Sequence, residues 1–323
     1  MSKDAPVQLI CMDPSLVITS IKKHNNKNPF SPFLVCDDVH LSPPHSQQLV
    51  PWLLELLFFS STRVDGEREK QRFLSYVETQ HELSIVFEDT LLPIFPEETL
   101  EYEPIRWKAL QVASAGAGAF LSQLSILNEL TTQLARHQIS VFQISTYQTD
   151  FILVKVEDLD RAIRCLRSFC DVEMESGEPY TPAHDPSDEA ENRVELNIDP
   201  YKEVTLVRQH TLSVPDNLEL FLVQIDKSCV RKHMFALVRL LFGQCSLDKD
   251  GAIGNLFLSY SESGEDISLV TSNVEFVEQI RALAYAGEPG VMLSPDSWKV
   301  VQIGDKNLGF TETERRLDIF NSE

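Results

Sequence analysis

The sequence contains few of the residue patterns that mark catalytic or metal-binding proteins. Its six cysteines show no CxxC or other metal-ligand spacing, and its eight histidines form neither HxH nor HExxH. The GxSxG and Cys–His signatures of nucleophilic enzymes are also missing. We therefore interpret the chain as a non-enzyme and predict neither a metal site nor a cofactor.

Positive charge is scarce as well. The 323 residues include 28 Lys and Arg against 49 Asp and Glu, which gives a formal net charge of −21. Nucleic acid and anionic lipid both require a basic surface, so we exclude them as partners and favour a basic one.

Long hydrophobic runs are missing too. The longest, residues 49–59, is interrupted by Glu55 and is far shorter than the ~20 residues of a membrane helix, so we predict no membrane span. The N-terminus has no signal-peptide pattern, and the cysteine usage fits reduced thiols. Together these features predict a cytoplasmic protein.

What the sequence does contain is an internal duplication. The string FLSYVE at 73–78 recurs as FLSYSE at 257–262, and WKALQV at 107–112 recurs as WKVVQI at 298–303. A repeat this long indicates a duplicated pair of domains rather than a solenoid. The second copy stops at Glu323 before it has repeated the whole of the first, so we expect the last unit to be incomplete.

Periodicity predicts the elements of the best-defined unit. A strand at 107–112 is followed by a helix at 120–137 with leucines at three- and four-residue spacing, by strands at 139–145 and 151–156, and by a helix at 157–169. This order forms most of a ferredoxin-like unit. The predicted fold class is therefore α+β, with tandem ferredoxin-like units in two duplicated halves.

Composition predicts the boundaries between the units. The stretch 171–193 is acidic, contains three prolines and has little apolar content to offset the entropy of ordering, which is typical of a flexible linker. We expect residues 298–303 to open the last unit and residues 298–310 to pair beside 107–112. The predicted segments are 6–97 for the first unit, 104–170 for the second, 171–193 for the linker, 194–286 for the third and 291–323 for the incomplete fourth.

One string in the second unit carries a family resemblance. ISVFQISTYQTDFILV at 139–154 closely resembles the hallmark of the CASTOR family, the cytosolic arginine sensors that act upstream of the TOR kinase complex. The resemblance covers most of the chain and is strongest at 107–160. It implies tandem ACT domains, which are ferredoxin-like modules that bind amino acids at domain interfaces.

The resemblance also implies a ligand site. In the family, arginine lies between the second and fourth ACT domains, and the matching residues here are Ser140, Val141, Gly309 and Glu312. A guanidinium group requires a carboxylate, which Glu312 would supply. Thr313 stands where the family has a cysteine, and the chain ends before a downstream segment that supplies a Phe and an Asp in the family.

A partner surface is implied by the same string. Tyr147, Gln148 and Asp150 match the residues through which family members contact the GATOR complex. The alternative is that residues 147–150 only form the turn between two strands. The resemblance thus implies a non-catalytic, amino-acid-sensing regulator of TOR signalling. The alternative function is a ligand-independent interaction protein that has kept the partner surface but lost the pocket, and a homodimer is compatible with either.

Overall fold

The computed structural model describes residues 7–22, 50–60, 72–79, 82–97, 99–113, 120–182, 212–215, 218–242 and 257–303. The strands are β1 (Val7–Cys11), β2 (Leu16–Lys22), β3 (Leu74–Thr79), β4 (Glu82–Glu88), β5 (Glu101–Tyr102), β6 (Trp107–Val112), β7 (Val141–Ser145), β8 (Asp150–Lys155), β9 (Cys170–Met174), β10 (Leu212–Ser213), β11 (Glu219–Asp226), β12 (Phe257–Ser263), β13 (Asp266–Thr271), β14 (Val291–Lys299) and β15 (Gln302–Ile303). The α-helices are α1 (Val50–Leu54, continued by a π-helical turn over Glu55–Phe59), α2 (Phe120–Arg136), α3 (Leu159–Leu166), α4 (Val230–Phe242) and α5 (Val274–Tyr285).

Two ferredoxin-like sheets stand side by side. The first, which we call unit 1, has the strand order β5-β2-β4-β3, and the second, unit 3, has the order β12-β13-β11-β14. Strands β3 and β12 pair along six residues, so the two sheets form one continuous surface. The paired strands carry the two copies of the FLSY repeat, and the duplication seen in the sequence is therefore a structural junction.

Helices α1 and α4 cover one face of this sheet, and they are a second repeat, since LLELLF at 53–58 and LVRLLF at 237–242 each begin 20 residues before a copy of FLSY. Leu53, Leu56 and Leu57 of the first repeat and Leu237, Leu240 and Leu241 of the second are all buried in one shared core, as their helical spacing predicts. Burial of apolar area contributes about 25 cal/mol per Å², so this shared core stabilises units 1 and 3 together.

A third sheet, unit 2, is built from two distant parts of the chain. Strands β7, β8 and β6 lie in that order, and β1 from the N-terminal region pairs antiparallel with β6 and parallel with β9. Helices α2 and α3 cover this sheet with a separate core that includes Leu130, Ile163 and Val154. The N-terminal strand thus occupies the position between the first and last strands of unit 2.

The predicted linker is partly wrong. Residues 170–182 lie within the described chain, and Cys170–Met174 form strand β9 beside β1. The acidic side chains alternate with buried Cys170 and Val172, so one face of the strand is apolar although its composition is charged. Residues 183–193 lie outside the described residues.

The open faces of units 1 and 2 pack on each other. Phe73 and Phe151 meet edge to face, with ring centroids 5.0 Å apart, inside a small core that also contains Trp107 and Leu16. Leu16 is also the only residue that pairs β2 with β6 in the described sheet. The junction between units 1 and 2 therefore depends mainly on side-chain packing.

The second tryptophan repeat lies in a different place from the one we expected. Trp298 lies in β14, the strand that completes unit 3, and pairs with Leu220 of β11. Ile303 of β15 pairs with Leu212 of β10. The expected pairing of residues 298–303 beside 107–112 is therefore wrong, because β6 is already flanked by β1 and β8. Residues 304–323 lie outside the described residues, and the four-unit division of the chain stays a prediction.

Candidate functional site

The turn between β7 and β8 is held by its two threonines. The Thr146 N–H and the Thr146 hydroxyl both donate to the Thr149 carbonyl, each at 2.8 Å, and the Thr149 N–H donates to Thr146 Oγ1 at 3.0 Å. Side-chain hydroxyls that bond to nearby backbone stabilise turns in this way. The backbone between the two threonines therefore has a defined conformation, and it carries Tyr147 and Gln148.

The predicted partner residues lie together at this turn. Gln148 is exposed, whereas Tyr147 and Asp150 are half-buried, and Asp150 begins β8 opposite Ser145. The backbone N–H of Tyr147 donates to the Ser268 hydroxyl in β13 at 2.7 Å. The turn of unit 2 is thus hydrogen-bonded to the sheet of unit 3.

A polar cleft lies where the turn meets this sheet. It encloses about 40 Å³ between residues 146–149 on one side and the face of unit 3 opposite α4 and α5 on the other. The residues from unit 3 are Gln224, Ser261, Ser263, Asp266 and Ser268. We call this space the turn cleft.

Strand register explains why these side chains meet. Gln224 is opposite Ser268, and Ser268 is opposite Ser261, so the three lie in one row across β11, β13 and β12. Directly opposed residues of antiparallel strands have Cβ atoms about 5 Å apart on the same face. Gln224, Ser261 and Ser268 are 5%, 4% and 7% exposed. Within the described chain, Gln224 Oε1 and Ser261 Oγ are buried without a hydrogen-bond partner.

Sequence reasoning did not find this row. Ser259, Ser261 and Ser263 alternate along β12, and Asp266 and Ser268 alternate along β13, which is the pattern of a polar sheet face. The alternation was available as a signal, but it does not say which strands are neighbours. The row becomes visible only with the register.

The residues predicted to bind an amino acid lie at the other end of β7. Ser140 is exposed just before the strand and Val141 is its half-buried first residue. The five residues of β7 place them roughly 17 Å from the turn at ~3.3 Å per residue. Gly309 and Glu312 lie outside the described residues. The structure thus separates the implied ligand residues of unit 2 from the implied partner residues.

A buried ion cluster lies near the junction of units 1 and 3. The carboxylate of Glu262, 6% exposed, lies 3.0 Å from Lys227 Nζ and 3.6 Å from Arg72 Nη1. Arg72 also donates to the carbonyl of Leu56. Because Arg72 belongs to unit 1 and Glu262 to unit 3, the pair links the two sheets.

Three buried or half-buried thiols and two buried phenols have raised pKa values. Burial raises the pKa of Cys11 and Cys165 to about 11 each and that of Cys170 to about 12. Burial, followed by the neighbouring carboxylates of Glu78 and Glu262, raises the pKa of Tyr76 and Tyr260 well above the usual range. These groups stay protonated near neutral pH and are poor nucleophiles or bases.

The described part of the chain shows neither a metal-binding cluster nor a membrane-spanning helix. There, no group of three or more His, Cys, Asp or Glu side chains is arranged to hold a metal ion. Of the helices in the described segments, none combines the length and the apolar character needed to cross a membrane.

The topology of unit 2 agrees with a match between its sequence and a known domain family. A sequence model of the ACT domain matches residues 103–168, which cover β6 to α3 of unit 2. Together with the repeated ferredoxin-like sheets, this match defines the chain as an α+β protein of tandem ACT domains.

Similarity to named proteins shows which family of ACT-domain proteins the chain belongs to. The cytosolic arginine sensor for mTORC1 subunit 1 of Bos taurus is 28% identical over 273 residues, which cover 80% of this chain and 76% of that protein. A human protein named putative protein CASTOR3P is 37% identical over 122 residues, 36% of this chain and 71% of that protein. The chain therefore belongs to the CASTOR family. Among solved structures, Atu0741 from Agobacterium tumefaciens is 18% identical and covers 56% of this chain and 100% of its own, but its TM-score of 0.33 is too low to carry an argument.

Proposed function

We propose that this protein is a non-catalytic, cytoplasmic regulator that senses an amino acid and controls TOR signalling by binding a GATOR-type complex. The observation that carries the proposal is the turn at 146–149, which belongs to the string of strongest family resemblance and is held against unit 3 by the bond from Tyr147 to Ser268. Loops that bind partners are commonly presented by a rigid scaffold in this way.

The proposed ligand is arginine, which the name of the relative gives for that protein. Ser140 and Val141 at the start of β7 would contribute one wall of the site, and Gly309 and Glu312 the other. An α-amino acid with a guanidinium group fits polar backbone and hydroxyl groups on one side and a carboxylate on the other. Because the two walls belong to different units, ligand binding would depend on the relative position of those units. A sensor requires this dependence of binding on conformation.

Calorimetric titration of the folded protein against the twenty amino acids tests the ligand. We expect heat with arginine, weakened in Ser140→Ala and in Glu312→Gln. Ser145→Ala is the matched control, since it removes the same hydroxyl from the other end of β7 and should leave binding unchanged. If none of the twenty amino acids gives heat with folded wild-type protein, the sensing function is wrong.

Capture of a purified GATOR-type complex tests the partner surface. The double variant Gln148→Ala, Asp150→Ala should lose capture of the complex. Its free energy of unfolding should stay within about 0.5 kcal/mol of wild type, because neither side chain is part of a buried core. Full capture by a normally folded double variant would contradict the surface assignment.

The second candidate is a ligand-independent interaction protein. One observation favours it: the turn is held by hydrogen bonds between protein groups, both within the turn and from the turn to Ser268. A ligand at a hundred times its dissociation constant should stabilise the native state by about 2.7 kcal/mol. An unchanged melting curve under saturating arginine, with capture of the complex intact, would select this candidate.

A further inference from the structure

We propose that the turn cleft is a receptor for the guanidinium or ammonium head group of a basic side chain carried by the protein partner. The inference rests on the proposed function, because it concerns a partner docked on the turn that carries Tyr147 and Gln148. It adds a second contact to the one at the turn: the head group would enter the turn cleft, between residues 146–149 and the sheet of unit 3.

The chemistry of the lining selects a cation. Asp266 is the one charged side chain among the described residues that line the cleft. It shares the lining with Gln224 and Ser261, whose Oε1 and Oγ atoms are buried without a hydrogen-bond partner. A carboxylate with neutral acceptors is the environment that a planar guanidinium or an ammonium group satisfies best.

An anion would find much less here. The N–H groups of Tyr147 and Thr149, which face this region from the turn, already donate to Ser268 Oγ and Thr146 Oγ1. An anion would also meet the carboxylate of Asp266. An apolar group would leave Gln224 and Ser261 without the hydrogen bonds that buried polar groups require.

Size limits the occupant to a head group. A cavity needs about 10–15 Å³ of such volume for one water, so about 40 Å³ holds roughly three waters or one guanidinium or ammonium group. The cleft opens to solvent, so the rest of the side chain and its backbone would lie outside it. The acidic balance of the chain, with a net charge of −21, also favours approach by a basic partner.

The probe for the head group is methylguanidinium, with methylurea as its neutral isostere. We expect methylguanidinium to shift, saturably, the NMR signals of the Tyr147 backbone amide and the Gln224 side-chain amide, whereas methylurea should not. Asp266→Asn should weaken this binding at least about tenfold, since it replaces a charged acceptor with a neutral one. Asp296→Asn is the matched control, because Asp296 is exposed on β14 outside the cleft.

Equal shifts with both probes, or none with either, would overturn the cation site and leave a cleft occupied by water. If free L-arginine binds the cleft more than about a hundredfold more tightly than methylguanidinium, the occupant is a free amino acid and the assignment to a partner is wrong.

Capture of a purified GATOR-type complex tests whether the partner itself uses the turn cleft. We expect Asp266→Asn to reduce capture about tenfold and Asp296→Asn to leave it unchanged. If Gln148→Ala, Asp150→Ala abolishes capture while Asp266→Asn retains it, the proposed function stands and this inference fails. If all these variants capture fully, the proposed partner surface itself is wrong.

Discussion

Tyr76 of β3 and Tyr260 of β12 lie directly opposite each other at the centre of the junction between units 1 and 3. Each is fully buried, and each phenol donates to the carboxylate two residues further on, Glu78 at 3.1 Å and Glu262 at 3.4 Å. The two copies of the repeat therefore meet antiparallel about a local two-fold axis. The duplicated string encodes an interface between the duplicates as well as two similar strands.

The ion cluster at this junction gives the first prediction. Glu262→Gln removes the only anion that the described structure places against both Arg72 and Lys227. Because Arg72 is 7% exposed, its charge would then be buried without compensation, and we expect a loss of about 3–5 kcal/mol in the free energy of unfolding, measured by urea denaturation.

The double variant Arg72→Met, Glu262→Gln is the control for that interpretation. It removes the buried cation together with the anion and should recover part of the lost stability. Additive losses in the double variant would show that the two side chains do not act as a pair.

Much of the secondary structure could be predicted from the sequence because it follows from local periodicity. The helix predicted at 120–137 corresponds to α2, and the strands predicted at 139–145 and 151–156 correspond to β7 and β8 within two residues at each end. The position of β1 between β6 and β9 could not be predicted, since it joins segments more than 90 residues apart. The sequence does not predict strand β9, because its acidic composition is typical of a flexible linker, although the acidic residues alternate with buried ones.

The candidate site also contains residues that the sequence can predict and residues that it cannot. Tyr147, Gln148 and Asp150 stand in one local string, so a resemblance could point to all three. Gln224 and Ser261 are distant in sequence and are brought together by the register of three strands. A site of this kind requires knowledge of strand order, which periodicity does not contain.

The packing between units 1 and 2 gives the second prediction. Phe151 is fully buried and contacts Phe73 edge to face, so Phe151→Ala should cost about 3–5 kcal/mol in unfolding free energy. Phe142→Ala is a matched control: Phe142 makes a similar contact with Trp107 at 4.9 Å but is 40% exposed. We expect that variant to lose about 1 kcal/mol. Equal losses in urea denaturation would show that burial is not what distinguishes the two contacts.

The turn gives the third prediction. Thr146→Val keeps the shape of the side chain but removes the hydroxyl that bonds to Thr149, so the turn should lose about 1 kcal/mol of stability. Capture of the partner should weaken, because Tyr147 and Gln148 would be held less firmly, and Thr146→Ser should restore it. Hydrogen exchange at the Thr149 amide measures the loosening directly. Unchanged exchange in Thr146→Val would show that the hydroxyl does not hold the turn.

The fourth prediction concerns alkaline pH. Burial raises the pKa of Cys11 to about 11 and of Cys170 to about 12, from a reference value of 9.0. In the unfolded chain these thiols ionise near pH 9, whereas in the folded protein they stay neutral. Their contribution to stability is therefore complete below pH 9 and is lost as the pH rises toward the folded values. We expect the unfolding free energy to fall by about 1 kcal/mol per thiol between about pH 9 and pH 10.

Urea denaturation across this pH range measures the effect, with the double variant Cys11→Ala, Cys170→Ala as the control. The variant starts from a lower stability because both side chains are buried, but its stability should decline less steeply with pH. The raised pKa values of Cys165, Tyr76 and Tyr260 act in the same direction and contribute to the slope that remains in the variant. An identical slope in wild type and variant would mean that the two thiols ionise in the folded protein as readily as in the unfolded chain.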